Sequence, residues 1–238
     1  MKPPLLLTRP IADAHESKKA FSALGFEVIS APVMEINREA APEILPDADC
    51  LILTSPHALD THLLKKLSKS MRVYCVGERA ANLCRTEGFT VAFSGPTSSH
   101  LIAALRKANR VPKHILYLSG RDVSSDITAA LLPASFEVTR IITYRADAVK
   151  ALSANVKRII KQQSPWVVFY SKRSVELFVE KMNTEALRRA QKSLSVFCLS
   201  ASIADRARTL GFATCFNAEI PSEASLLALL AAHSKSMV

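Results

Sequence analysis

From one end of the chain to the other, short apolar runs alternate with longer stretches whose leucines and alanines recur at helical spacing. The runs at 5–7, 26–29, 51–53, 73–76, 90–93, 115–118, 136–142, 167–170, 196–199 and 213–216 are rich in β-branched and aromatic residues and predict strands. Between most of them lie ten or more residues with the apolar period of a helix. Strand and helix in strict turn is the pattern of βαβ units and parallel sheets, so an α/β fold is expected.

The pattern also repeats itself. One unit, LILTSPHALDTHLLKKL followed by RVYCVGERAANLCRTEGFTVAFSGPTSSHLIAAL, returns as VVFYSKRSVELFVEKM followed by LSVFCLSASIADRARTLGFATCFNAEIPSEASLLALL. Ser55 answers to Ser171 at an offset of 116, Cys75 to Cys198 and Gly88 to Gly211 at 123, and Leu101 to Leu226 at 125. A second unit, LLLTRPIADAHESKKAFSALGFEVISAPVMEI, returns 110 positions later as ILYLSGRDVSSDITAALLPASFEVTRIITYRA. Two copies at so long a period indicate a duplicated α/β domain and not a solenoid. The repeat alone fits a swapped and an unswapped pairing of the units equally well.

Composition narrows the class. At 238 residues and 49% hydrophobic content the chain suits two compact domains of about 100–150 residues. No apolar run approaches the roughly 18 residues of a membrane span. The opening MKPPLLLTRP breaks after three leucines, too short for a signal peptide, so a cytoplasmic protein without a membrane partner is expected. Cys50, Cys75, Cys84, Cys198 and Cys215 form no CxxC pair and read as buried, reduced thiols. His57 and His62 are off the spacing of a helical metal pair, and no metal is expected. The formal charge of +10 favours anionic partners. With no long basic block and only 6% aromatics, nucleic acid is not the expected one.

In an open parallel sheet, ligands collect beyond the carboxyl ends of the strands, where helix N-termini present unpaired N–H groups. The residues there are Thr8-Arg9, Thr54-Ser55, Gly77-Glu78, Ser119-Gly120-Arg121, Ser171-Lys172 and Ser200-Ala201-Ser202, with Ser98 and Ser99 opening a later helix. Each alone is an ordinary N-cap, worth about 1 kcal/mol. Together they are small, polar and nearly free of carboxylates, which suits a carboxylate or phosphate held by backbone amides. No GxGxxG, GxxxxGK[ST] or GxSxG motif is present, so no nucleotide cofactor and no serine nucleophile are expected. Lys113 and Lys172 read as surface charge rather than Schiff-base lysines. Tyr144, late in the long run that starts at Phe136, stands where a bridge between domains would face a cleft.

These motifs together, LLLTRP, GFEVISAPVMEI, LILTSPHAL, VYCVGERAANL with its GF, ITYRAD, VVFYSKRSVELF, VFCLSASIADRA with its GF, and PSEASLLALL, resemble the uroporphyrinogen-III synthase family over essentially the whole chain. The resemblance implies two Rossmann-like or flavodoxin-like parallel-sheet domains. One is discontinuous, 1–35 plus 147–238; the other is 38–138; a two-stranded β-ladder of 31–37 and 139–146 links them. It implies a polycarboxylate substrate, linear hydroxymethylbilane, turned over without a cofactor by a monomer, with hydroxymethylbilane synthase as a transient partner. Tyr144 matches the family's linker tyrosine and is the expected donor to the leaving hydroxyl. Thr8, Arg9, Thr54, Ser55, Gly77, Glu78, Ala80, Ser98, Ser99, Gly120, Arg121, Ser171, Lys172, Ser200 and Ser202 are the expected substrate-binding positions. Two departures stand out: Ala80 replaces a frequent threonine after VGER, and the loop RDVSSD lacks a frequent arginine, for which Arg121 would substitute. A different class with the same loops is a two-lobed binding or sensor module for an anionic ligand, in which Tyr144 would be inessential.

Overall fold

The computed structural model describes residues 2–108, 112–123, 126–131 and 136–235. Its elements, in chain order, are β1 (Leu5–Leu7), α1 (Ile11–Ala23), β2 (Val28–Ser30), β3 (Met34–Arg38), β4 (Cys50–Leu53), a 3-10 turn (Pro56–Ala58), α2 (Thr61–Lys66), β5 (Arg72–Val76), α3 (Glu78–Thr86), β6 (Thr90–Gly95), α4 (Ser98–Arg106), β7 (His114–Gly120), α5 (Ile127–Leu131), β8 (Glu137–Ala148), α6 (Ala154–Gln163), β9 (Trp166–Phe169), α7 (Lys172–Lys181), α8 (Glu185–Gln191), β10 (Ser195–Cys198), α9 (Ala201–Thr209), β11 (Thr214–Asn217) and α10 (Glu223–Lys235). The chain divides into two compact units, Met1–Glu35 with Asp147–Val238 and Ile36–Ala146, and crosses between them in β3 and in β8.

The first unit holds a five-stranded sheet in the order β11-β10-β9-β1-β2, parallel throughout. This is the flavodoxin-like order, with β1 and β9 meeting where the direction of winding reverses. The second unit holds a six-stranded sheet, β3-β8-β7-β4-β5-β6. From β8 to β6 it repeats the first sheet, and the register carries the repeat down to single residues. Leu5 opposes Val28 and Trp166; Ile115 opposes Val138 and Cys50. These pairs reproduce the offsets of 110 and 116 found in the sequence.

Both faces of each sheet are covered, so the central strands β1, β9 and β4 are apolar and buried at every position. Along β9, Trp166 and Val168 join one core with Leu5, Leu7 and Phe197, while Val167 and Phe169 join the other with Leu6, Val196 and Cys198. The second unit divides in the same way: Leu51 and Leu53 point to one core, Cys50 and Ile52 to the other. Each of these side chains contributes about 1.5–3 kcal/mol by leaving water. Three helices end on a GF pair in which the phenylalanine N–H reaches back over the last turn: Phe26 to Phe21, Phe89 to Cys84 and Phe212 to Ala207. All three phenylalanines are buried, which anchors the chain as it returns to the next strand. Among the described residues no helix is long and apolar enough to cross a membrane, and no cluster of His, Cys, Asp and Glu could hold a metal ion.

Candidate functional site

The carboxyl ends of β4, β5, β7 and β8 in the second unit surround a cleft of about 260 Å³. Thr54, Val76, Ser98, Tyr117, Gly120, Asp122, Val123 and Tyr144 line it. Four of the expected site residues, Thr54, Ser98, Gly120 and Tyr144, therefore meet at one place.

Tyr144 reaches this cleft because of a fault in the ladder. Ser119 opposes Ile142, but Gly120 opposes Tyr144, so Thr143 is an extra residue on β8. Such a bulge re-aims the side chains that follow it. Thr143 turns inward, buried, and its hydroxyl donates to Ala58 O at 2.9 Å. Tyr144 comes to lie against Gly120, and the Arg121 N–H donates to Tyr144 O at 2.8 Å. A Cβ on Gly120 would sit 2.6 Å from Cζ of Tyr144 and 2.9 Å from its hydroxyl oxygen, so only glycine leaves the ring its place. His57, on the 3-10 turn after Ser55, adds a tilted ring contact to Tyr144 with centroids 5.7 Å apart.

A network under the cleft fixes its walls. The Thr54 hydroxyl lies 3.3 Å from that of Tyr117, and the Arg140 guanidinium lies over the Tyr117 ring, 6.0 Å from its centre. Arg140 Nε donates to Ser119 Oγ at 2.8 Å, and its Nη2 donates to the carbonyls of Gly120 at 2.8 Å and Arg121 at 3.0 Å.

The other expected positions in this unit have separate tasks. Ser55 caps the 3-10 turn, its oxygen accepting from His57 N. Gly77 caps α3 at φ 82°, a left-handed conformation that lets the chain pass from β5 straight into the helix. The Glu78 carboxylate is held below the usual range by hydrogen bonds from Arg85 and then Ser94. It is therefore a committed anion and not an acid in waiting. Ala80 is buried and packs in the core, Ser99 is exposed on the first turn of α4, and Arg121 pairs with Glu39, which also takes Arg145. Ser124 and Ser125 of the RDVSSD loop lie outside the described residues.

In the first unit the strand ends are more fully used by the fold itself. Thr8 is buried, with its hydroxyl donating to Val168 O at 2.6 Å. Arg9 donates to Ser17 and Glu223 and lies over the Tyr170 ring at 4.2 Å. Burial pushes the Tyr170 hydroxyl up to about 12. Ser171 and Ser174 form a reciprocal capping box at the start of α7. Lys172 is exposed beside it, while Ser200 stands at the N-cap position of α9 with its hydroxyl 3.2 Å from that of Ser202 and not on a backbone N–H of the helix. Thr8 and Arg9 thus have their side chains spent inside the unit, whereas Ser171, Lys172, Ser200 and Ser202 remain at its surface.

Reading the sequence missed Arg140, Tyr117 and Thr143. Arg140 was detectable as a lone charge in the apolar run TRIITY, and Tyr117 as the one hydroxyl inside ILYL. Nothing local marks Thr143 as a bulge.

Two solved structures resemble the chain along its whole length. Uroporphyrinogen-III synthetase from Helicobacter pylori aligns with a TM-score of 0.67 at 17% identity, over 98% of this chain and 100% of that one. A mutant uroporphyrinogen III synthase from the extremely thermophilic bacterium Thermus thermophilus aligns with a TM-score of 0.57 at 16% identity, over 98% and 99%. Likeness at such identities speaks for the fold alone. No curated protein matches the chain by sequence. The family described as Uroporphyrinogen-III synthase HemD matches residues 15–228, nearly the full length, and the chain belongs to that family.

Proposed function

We propose that the chain is a cyclising hydro-lyase that converts linear hydroxymethylbilane to uroporphyrinogen III in tetrapyrrole biosynthesis, acting as a cytoplasmic monomer without a cofactor. The terminal hydroxyl leaves as water, pushed out by a pyrrole nitrogen lone pair, to give an azafulvene. The substituted α-carbon of ring D attacks the azafulvene carbon, and the resulting spiro intermediate fragments and recloses with that ring inverted. A proton lost at the final closure balances the one taken up by the departing hydroxide, so one water is lost overall. The substrate supplies the electrons; the protein folds the chain back on itself and assists the departure.

Tyr144 is the proposed proton or hydrogen-bond donor to that hydroxyl. The observation that carries this role is its position: a bulge delivers it into a cleft that it shares with Thr54, Ser98, Tyr117 and Gly120, with the Asp122 carboxylate also on the wall. The substrate carboxylates rest on amides and hydroxyls at the strand ends: Thr54, Ser55, Gly77, Ser98 and Ser99 in one unit, Ser171, Lys172, Ser200 and Ser202 in the other. Thr8, Arg9 and Ala80 support those loops from within, and Glu78 and Arg121 brace them at the surface through ion pairs with Arg85 and Glu39. The positive charge of the chain draws the polyanion in. Hydroxymethylbilane synthase, which makes the substrate, is the proposed transient partner.

The test is to supply fresh hydroxymethylbilane with and without the protein, oxidise, and separate the uroporphyrin isomers. Isomer III is expected with the protein, against isomer I from spontaneous closure. Tyr144→Phe is expected to slow turnover about 10- to 100-fold while still yielding isomer III, since the fold of the bound chain, not the donor, sets which isomer forms. Only isomer I from folded protein would replace the synthase with a binding module, and an undiminished Tyr144→Phe would remove this residue from the chemistry.

A further inference from the structure

Arg140 is a guanidinium at the cleft whose hydrogen bonds go to neutral oxygens of the chain. Its three bonds go to the Ser119 hydroxyl and to two successive carbonyls, Gly120 and Arg121, and among the described residues it meets no carboxylate. The charge of this half-buried guanidinium is met by carbonyl dipoles and a hydroxyl, which ties its position to the end of β7. The segment it grips is the one against which Tyr144 rests: Gly120 meets the ring, and the Arg121 N–H holds the Tyr144 carbonyl. Arg140 and Tyr144 are also on the same strand, four positions apart, on opposite sides of the bulge at Thr143. The arginine therefore closes a loop of contacts, from β8 across to the end of β7 and back to the tyrosine on β8.

We infer that Arg140 is a positioning residue for Tyr144, setting the place of the tyrosine hydroxyl by holding the Gly120–Arg121 backbone under the ring. The inference rests on Tyr144 being the donor to the leaving hydroxyl. Only a planar, forked side chain meets these acceptors together. A lysine ammonium is a single point with three turning donors and does not reproduce the fixed spacing by which Nε takes the hydroxyl and Nη2 the two carbonyls. Arg140 is not itself among the residues that line the cleft, and a change there lets the Gly120–Arg121 backbone drift under the ring, so the rate of the chemical step suffers more than substrate binding. Misplacement of a reacting group by about 1 Å costs on the order of a hundredfold in rate.

The experiment is a double-mutant cycle on the full chain with hydroxymethylbilane, measuring kcat and KM for wild type, Arg140→Met, Tyr144→Phe and the double variant, with thermal unfolding as a check on folding. Arg140→Met is expected to lower kcat at least tenfold with KM within about twofold, Arg140→Lys is expected not to rescue it, and Arg140→Met in the Tyr144→Phe background is expected to cost little more. Should the methionine variant fail to fold, Arg140→Gln, which keeps one donor for a carbonyl, carries the same comparison. An equal loss with and without the tyrosine hydroxyl would overturn the inference while leaving Tyr144 its role. A rise in KM at unchanged kcat would overturn it by making Arg140 a substrate contact, and rescue by lysine would reduce it to a charge. An undiminished Tyr144→Phe alone would bring down the donor reading, and this inference with it.

Discussion

Replacing Gly120 by alanine isolates the contact on which the site depends. The added methyl would lie 2.6 Å from Cζ and 2.9 Å from the hydroxyl oxygen of Tyr144, where carbon atoms settle at about 3.5–4.0 Å. Either the ring retreats by about 1 Å or the strand ends part. The atom in the way is the far end of a side chain whose ring borders an open cleft, so the ring is the part that yields. Overpacking of this size costs about 1–3 kcal/mol, and the low end applies where the ring can move. Gly120 has no left-handed φ, so alanine recovers about 0.4–1 kcal/mol from the less flexible unfolded chain. Net stability should thus change by no more than about 2 kcal/mol, while a 1 Å shift of the donor lowers kcat on the order of a hundredfold. The assay pairs a denaturant melt with turnover of hydroxymethylbilane. Wild-type turnover in a folded Gly120→Ala protein would refute the reasoning, as would a stability loss large enough to explain the inactivity by unfolding.

Thr143→Val removes the buried hydroxyl that donates to Ala58 and leaves that carbonyl unanswered; a loss of about 1–3 kcal/mol is expected in urea unfolding, and no loss would mean the bulge is held by other contacts. Burial pushes the Cys50 and Cys198 thiols each up to about 12, with Asp49 and Cys215 adding smaller upward pushes. A thiol raised above its unfolded value of about 8.5 gives stability that is complete below that pH and lost as pH climbs toward 12, by about 1.4 kcal/mol per pH unit for each thiol. Urea midpoints should therefore fall between pH 8.5 and 10, and fall less in Cys50→Ala; a midpoint that stays level across that range would count against the burial of these thiols.

The strands were legible because their chemistry is local: 5–7, 51–53 and 73–76 are apolar runs that the structure extends by a residue at most. β8 was not. Its second half, Thr143 to Ala148, is mostly polar and is extended because of bonds from elsewhere, such as Glu39 N–H to Thr143 O and Arg121 N–H to Tyr144 O. The same distinction divides the site. Ser55 and Ser171 were readable as caps because a cap is made within three residues. The ion pair of Arg9 was not readable in this way, because its partner Glu223 lies far along the chain. Arg140 was hidden for the opposite reason, since a single charge in a strand is indistinguishable from a solvent-facing one until its acceptors on a neighbouring strand are known.

The strand β1 has an awkward start in life. Leu5, Leu6 and Leu7 are wholly buried, yet they lie between β2, which follows at once, and β9, whose Trp166 pairs with Leu5 across some 160 positions of chain. At about 5–20 residues per second, a ribosome takes roughly 8–30 s to deliver that partner. The second unit, Ile36–Ala146, is meanwhile complete in sequence and free to fold. Birth order thus favours the inserted unit, and the leader strand spends those seconds as a sticky end that chaperones or misfolded neighbours can claim. Premature termination between the end of the second unit at Ala146 and the start of β9 at Trp166 should yield a product with a finished second unit and an orphaned, aggregation-prone β1.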